Sequence, residues 1–277
     1  SLCLYNRPWS EVRTTWTAPA FLERVRWWLS ETACDSLHGE TQALESFIIS
    51  WGHWLVLPTV PAGGKLPDAF AVLLPNGKNG RVFIASGTEP QDKRTPGARC
   101  VVLQFTAPVR RHGVAPRIPK NLGDLSELLR SHDFDLLKEV RERLKQWSKE
   151  QEPLLDHNVI ILVQLSKSRL EGGAVESVEH VAFLTSKTVL EVGAAVGVWT
   201  VSGKVRALLI PSDNAKNGTD LSVYVLNVCH AFSRKAAALL NGLDAEVDLK
   251  VVAIGAGALG SQVAMNLARS GWGRWTV

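Results

Sequence analysis

Short hydrophobic runs separated by turn residues dominate the middle of the chain. The longest is Val159–Val163, an unbroken series of Val, Ile and Leu within a strand predicted over 158–165, and such a run is typical of a strand buried on both faces. Two Asn-Gly pairs, Asn76-Gly77 and Asn79-Gly80, predict a hairpin turn. The same pattern predicts further strands at 51–57, 69–74, 81–85, 100–106, 178–185, 195–201 and 205–210.

Helical spacing of apolar residues occurs in two other stretches. Residues 122–149 predict a charged helix that breaks near His132, and its later half carries an apolar stripe made by Leu136, Leu137, Val140, Leu144 and Trp147. A second helix is predicted over 221–240, leading into a strand that starts near Leu249.

The pattern changes at residues 251–277. An apolar run leads into Gly255-Ala-Gly257-Ala-Leu-Gly260, and a helical pattern and a second apolar run from Trp275 follow. This order predicts the first half of a nucleotide-binding βαβ unit. The glycines allow a sharp turn and a close approach of phosphate to the backbone, and the helix N-terminus offers N–H groups to the anion. The alternative is a glycine turn without a ligand.

Leu259 with Ser261, and the pair Gly271 and Gly273 at the helix end, distinguish this segment from ordinary dehydrogenases. With them it resembles the first strand, turn and helix of E1-like adenylating enzymes, the ThiF/MoeB/ubiquitin-activating family. Ala258 and Trp272 depart from the family's pattern, without removing a phosphate-binding atom.

The E1 resemblance implies a set of expectations. The turn would bind ATP, with Mg²⁺, and the protein would adenylate the C-terminal carboxylate of a partner protein. The family's other catalytic residues, its zinc ligands and its thioester cysteine would lie downstream of residue 277. The residues expected at the ATP site are Gly255, Gly257, Leu259, Gly260 and Ser261.

The N-terminal segment begins with Ser1-Leu-Cys3-Leu and continues through a loop with Trp9 to a helix predicted from about Pro19, with Thr17 as its N-cap. It resembles the region after the active-site cysteine of ubiquitin-conjugating (E2) enzymes, although the gap from cysteine to tryptophan is shorter than in eukaryotic E2s. The motifs at 37–39 and 42–45 resemble the bacterial E2-like branch that is joined to E1-like domains.

Cys3 is therefore the candidate catalytic residue. The E2 resemblance implies transthiolation, in which the Cys3 thiolate takes an activated acyl group and passes it to an amine. The alternative is a buried cysteine that acts as a small hydrophobic residue. Cys34, Cys100 and Cys229 lack metal-ligand spacing, so we interpret them as structural and expect no metal site. The scattered histidines are interpreted as surface or core residues and not as catalytic bases.

Composition narrows the functional classes only slightly. The chain has 277 residues, 45% of them hydrophobic and 21% charged, which suffices for one large or two ordinary domains. The absence of a signal peptide, with four Cys and ten Trp, favours a reducing, cytoplasmic setting. No apolar run is long enough to predict a membrane span.

Basic residues are denser over positions 93–120 than elsewhere. Prolines interrupt this region, so a solvated loop surface is one interpretation and a docking face for an acidic protein tail or nucleic acid is the other. No Phe, Tyr or Trp directly neighbours a basic residue of this region, which argues against single-stranded nucleic acid as a partner. The cluster comprises Lys93, Arg94, Arg99, Arg110, Arg111, His112, Arg117 and Lys120.

Together these features predict an α/β chain: α+β N-terminal and middle parts, then the start of a Rossmann-like E1 adenylation domain. We expect the C-terminal part of an E2-like domain at 1–58, a connector at 59–220 and a truncated adenylation domain at 221–277. This order resembles bacterial E2–E1 fusions, the best known of which act in CBASS-type anti-phage defence, and the chain would be an internal fragment of one.

The resemblance implies a protein partner with a C-terminal carboxylate, either a ubiquitin-like protein or a CBASS nucleotidyltransferase, and a homodimer formed through the E1-like part. Two alternatives stay open: an NAD(P)-binding oxidoreductase that uses the same glycine turn, and a non-catalytic ThiF-like scaffold.

Overall fold

The computed structural model describes residues 4, 9–34, 44–48, 50, 52–58, 69–74, 81–86, 99–113, 115, 117–150, 154–202, 205–209, 213–255 and 257–276. The chain divides into two compact units, Ser1–Leu44 and Glu45–Val277. The predicted boundaries at 58/59 and 220/221 stay predictions.

The chain contains both helices and strands, which confirms the α/β class predicted from the sequence. The helices occur in both units. They are α1 (Trp9–Val12), α2 (Ala18–Ala33), α3 (Leu122–Arg130), α4 (Leu136–Glu150), α5 (Val189–Ala195), α6 (Arg234–Leu240) and α7 (Ala258–Arg269).

Strands belong to the second unit. They are β1 (His53–Leu57), β2 (Ala69–Leu74), β3 (Arg81–Ser86), β4 (Arg99–Arg111), β5 (Asn158–Ser168), β6 (Ser177–Thr188), β7 (Trp199–Ser202), β8 (Val205–Leu208), β9 (Val223–His230), β10 (Val247–Val252) and β11 (Trp272–Thr276).

In the first unit, α2 begins as the sequence predicts. Thr17 is extended and its side chain accepts a hydrogen bond from the Ala20 N–H, which satisfies one of the donors left free at a helix start. Pro19 lies in the first turn, where its missing N–H costs nothing. Val12, the last residue of the preceding helix α1, is buried.

Seven strands of the second unit close into a barrel, in the order β1-β3-β2-β4-β5-β6-β9. β4 pairs with β5 in parallel, whereas β5 with β6 and β6 with β9 are antiparallel. β1 runs parallel to both β3 and β9, and this closes the ring. The predicted turns at 76–80 lie outside the described residues, but the antiparallel pairing of β2 and β3 agrees with a hairpin.

The two faces of the barrel strands bury different hydrophobic clusters. One cluster fills the interior and includes Leu55, Phe83, Ile160 and Leu226. Alternate residues, such as Ile161 in β5, face outward, because successive side chains of a strand point to opposite faces. The unbroken hydrophobic run in β5 thus reflects burial on both faces, as its sequence predicts.

Helices α3, α4 and α5 cover the outer face of β4, β5 and β6. The break predicted near His132 is present, since α3 ends at Arg130 and α4 starts at Leu136. The predicted stripe of α4 is buried in this cluster. The helix starts are fixed by side-chain caps, for example Asn121, whose Oδ1 accepts from the Asp124 N–H at 2.8 Å.

The helix predicted over 221–240 is wrong in its first half. Residues 223–230 form β9, and a helix is present only at Arg234–Leu240. Val and Tyr favour an extended, half-buried surface, and β9 pairs with β6 on one side and β1 on the other. Helical periodicity is ambiguous in a short apolar run, so the strand partners decide the outcome.

The C-terminal βαβ prediction is confirmed as a structural element. β10 leads through the glycine turn into α7, and α7 leads into β11, which pairs with β10 in parallel.

Candidate functional site

The candidate nucleophile, Cys3, lies outside the described residues, but its neighbour in the chain does not. The carbonyl of Leu4 accepts a hydrogen bond from the Arg24 Nε at 2.8 Å. The guanidinium of Arg24 also lies over the ring of Trp27, 4.1 Å from its centroid. A cation on α2 therefore holds the residue that follows Cys3, and sequence reasoning did not single out Arg24.

Helix α2 exposes much of its apolar surface. None of its residues is buried, and Leu22, at 65% exposure, and Leu29, at 55%, are the most exposed of its large hydrophobic residues. Exposed apolar residues grouped on one element are typical of a surface that another element or protein covers.

The glycine turn has the backbone geometry that its sequence predicts. Gly255 has a φ of +83°, which a residue with a side chain rarely adopts. At Gly260, an added Cβ would lie 2.7 Å from the carbonyl oxygen of Gly255, so the first turn of α7 packs directly on the backbone of the loop. Both positions require glycine for structural reasons alone.

Gly257 differs from these two glycines. It is the N-cap of α7 with ordinary dihedral angles, an added Cβ would meet no atom within 4 Å, and no side chain caps the helix. The first turn carries no acidic residue. The N-terminus of α7 thus presents backbone N–H groups at an exposed surface, which is the arrangement that binds phosphate in nucleotide-binding folds.

The other two predicted residues of this site lie on α7. Leu259 is 79% exposed, and the Ser261 hydroxyl donates to the Ala258 carbonyl at 3.2 Å, within the helix itself.

Gly271 and Gly273, the pair that carries the E1 resemblance, both have a φ of +75°. A Cβ at Gly271 would collide with the backbone oxygen of Arg234 in α6. Gly271 therefore lets β11 start close to α6, whereas Gly273 lets it lie close to Leu249 and Val251 of β10.

The remaining described cysteines have different environments. Cys100 points into the barrel, and burial raises the pKa of its thiol to about 12. Cys34 is exposed at the end of α2, and Cys229 in β9 is half-buried.

The structure brings part of the basic cluster together with residues that the sequence did not connect to it. Arg110, Arg111 and His112, at the end of β4, line one small cavity with His132 and Lys167. These groups lie up to 57 positions apart in the chain, so no local sequence signal could have linked them.

A buried ion pair stands beside this cavity. The Nζ of Lys167 lies 2.7 Å from Glu179 Oε2 and donates to the Glu45 carbonyl, also at 2.7 Å. The Glu179 carboxylate accepts the Phe47 N–H through both oxygens, at 2.9 and 3.1 Å. The pair thus fixes residues 45–47 on the barrel.

Comparison with known proteins concerns the N-terminal end. Residues 1–59 match the model of prokaryotic E2 family A, which supports an E2-like domain in this part of the chain. The match covers both Cys3 and Arg24, and it extends through β1 of the barrel. No curated protein matches the chain. Among the helices that the structure describes, none is long and apolar enough to cross a membrane.

Proposed function

We propose that this chain acts in a ubiquitin-like conjugation pathway, with Cys3 as the acceptor of an acyl group. The carrying observation is the match to prokaryotic E2 family A, which includes Cys3 within Leu-Cys-Leu. The hydrogen bond from Arg24 to Leu4 supports the proposal, because it holds the chain next to the nucleophile.

The proposed chemistry consists of two acyl transfers. The Cys3 thiolate attacks the carbonyl carbon of an incoming thioester, a new S–C bond forms, and the donor thiolate leaves and is protonated. An amine of the target then attacks the same carbon, forms an amide and releases Cys3. Arg24 holds its positive charge against the carbonyl of Leu4, the residue that follows Cys3 in the chain, and positive charge favours a thiolate.

The adenylation step is the second half of the proposal. The turn at 255–260 fits a nucleotide phosphate, because Gly257 leaves the backbone accessible and the N-terminus of α7 is exposed. ATP with Mg²⁺ would bind there, and the partner's C-terminal carboxylate would be activated. The partner in this proposal is a ubiquitin-like protein or a CBASS nucleotidyltransferase. The protein forms a homodimer and acts in the cytoplasm, in anti-phage defence.

The Cys3 assignment is tested with a peptide thioester of the form acetyl-Gly-Gly-SR, which needs no activating enzyme. We expect a mass increase on Cys3 that dithiothreitol reverses and that Cys3→Ala abolishes. Cys34→Ala is the matched control, because Cys34 is exposed and also lies in the first unit. An adduct that persists in Cys3→Ala and disappears in Cys34→Ala would refute the assignment.

An oxidoreductase that binds NAD(P) is the competing function for the glycine turn. Equilibrium dialysis of the chain against labelled ATP and NAD distinguishes the two. Gly257→Ala should fold normally and weaken ATP binding by about ten-fold or more, because the new methyl group would occupy the path of the phosphate. Gly113→Ala is the control, since Gly113 also has open space around it and an ordinary φ. Tighter binding of NAD than of ATP would support the oxidoreductase instead.

A further inference from the structure

Arg110 has a buried polar atom without a partner. Its Nη1 is shielded from solvent, and none of the described residues accepts a hydrogen bond from it. A buried N–H that loses its hydrogen bond to water is costly, and more so in a charged group. In a folded protein such an atom is commonly satisfied by a water or a ligand.

The cavity beside Arg110 has a size that restricts this ligand. The volume open to the centre of a water molecule is about 20 Å³, within a wider depression of about 310 Å³. A space of this kind holds about one water, or one or two oxygen atoms of a larger group. Only the end of a ligand can therefore enter, and the rest must remain in the wider depression.

The charge around the cavity favours an anion. Three basic side chains, Arg110, Arg111 and Lys167, line the space together with His112 and His132. Two carboxylates oppose them: Glu179 pairs with Lys167, and the Glu45 carboxylate lies 4.0 Å from His112 Nδ1.

The walls indicate which anion fits. Ala107, Pro108 and Leu165 add an apolar wall to the lining of the cavity. A carboxylate is flat, can present one or two oxygens to a guanidinium, and carries a carbon that such a wall can contact. A halide has no apolar group that could contact this wall, and a tetrahedral phosphate is too bulky for a space of this size.

We propose that the cavity at Arg110, Arg111, His112, His132 and Lys167 binds one carboxylate group, with Arg110 as its principal donor. The carboxylate belongs either to a small organic acid or to the terminus or acidic side chain of a peptide. This site lies on the barrel and does not depend on the proposed function of Cys3 or of the glycine turn.

His132 provides a local readout. Burial and then the charge of Arg110 lower the pKa of this imidazole, whereas Asp133 acts in the opposite direction. An anion bound to Arg110 would offset the effect of the guanidinium and raise the pKa of His132. The imidazole also makes a T-shaped contact with the ring of Phe47, with ring centroids 4.8 Å apart.

The test is an NMR titration of the His132 ring protons in the full chain, assigned with His132→Gln. Sodium acetate is compared with sodium chloride and sodium phosphate at equal ionic strength. We expect acetate alone to give a saturable rise in the pKa of His132. Arg110→Gln should weaken acetate binding by about ten-fold or more. Arg269→Gln, on the exposed surface of α7, should leave it unchanged.

Two further arms make the result decisive. Acetyl-Gly-Gly with a free carboxylate, compared with its amide, distinguishes a peptide terminus from a small acid, because only a peptide site would bind it more tightly than acetate. Arg110→Lys keeps the positive charge and removes the planar guanidinium with its two parallel N–H donors. It replaces Arg110→Gln in the test if that variant fails to fold. An equal response to chloride or phosphate, or unchanged acetate affinity in both Arg110 variants, would overturn the proposal.

Discussion

The buried ion pair between Lys167 and Glu179 gives the sharpest test of how the barrel is stabilised. The side chain of Lys167 is 8% exposed and that of Glu179 is 17% exposed. Lys167 binds the Glu45 carbonyl and Glu179 binds the Phe47 N–H, so the pair holds the backbone of the segment that precedes β1. We consider Lys167→Met, Glu179→Leu and the double variant, each of which keeps the approximate volume of the side chain.

The single variants should be unequal. Removal of one partner of a buried pair costs about 3–5 kcal/mol, because the other charge stays without compensation. In Lys167→Met, the Glu45 carbonyl loses its ammonium donor, but Glu179 is partly exposed and keeps the Phe47 N–H, so we expect a loss near the lower end, about 3 kcal/mol. In Glu179→Leu, a more deeply buried ammonium and the Phe47 N–H both lose their partner, so about 5 kcal/mol is expected.

The double variant removes both charges together. What remains is the Phe47 N–H and the Glu45 carbonyl without their side-chain partners, at about 1–3 kcal/mol for each buried group. The double variant should therefore lose about 2–6 kcal/mol, less than the sum of the single losses, which is about 8 kcal/mol.

The measurement is guanidinium unfolding at pH 7, followed by far-UV circular dichroism and by tryptophan fluorescence. Coincident transitions are required before free energies are compared, since the chain contains two units. Losses that add within about 0.5 kcal/mol would show that the two side chains are not coupled and would refute the reasoning.

Three further predictions concern the barrel. Gly193→Ala should destabilise it by about 1–3 kcal/mol in the same assay, because the new methyl group would collide with the buried ring of Trp199; a gain from better helix propensity alone would contradict this. Burial, and then the charge of His230, lower the pKa of His180. Because the unfolded chain therefore takes up the proton at a higher pH than the folded chain, the free energy of unfolding should fall as the pH drops below about 6.5. His180→Phe should flatten this slope, and an unchanged slope would exclude His180 as its source. Cys100, whose pKa burial raises to about 12, should resist iodoacetamide at pH 8 in the folded chain, while the exposed cysteine at the end of α2 reacts; equal labelling would contradict its burial.

Local signals predicted much of the fold. The Thr17 cap, the break near His132 and the apolar run of β5 each depend on neighbouring residues, and each is present in the structure. The helix predicted for residues 223–230 is wrong, because their hydrophobic pattern suits either element and only the pairing with β6 and β1 selects the strand.

The candidate sites show the same division. The glycine turn was predictable because its conformational needs are local, and Gly255 and Gly260 meet them. The role of Arg24 could not be predicted, since its hydrogen bond to Leu4 joins residues 20 positions apart.

The sequence by itself determined where the chain turns and which residues start its helices, because propensity, capping and glycine dihedral angles act over a few residues. Only the tertiary structure decided that seven strands close into a barrel, and that Arg110 at the end of β4 meets Lys167 of β5 around one cavity. Those outcomes depend on pairing and burial between distant segments, whose energies no local pattern contains.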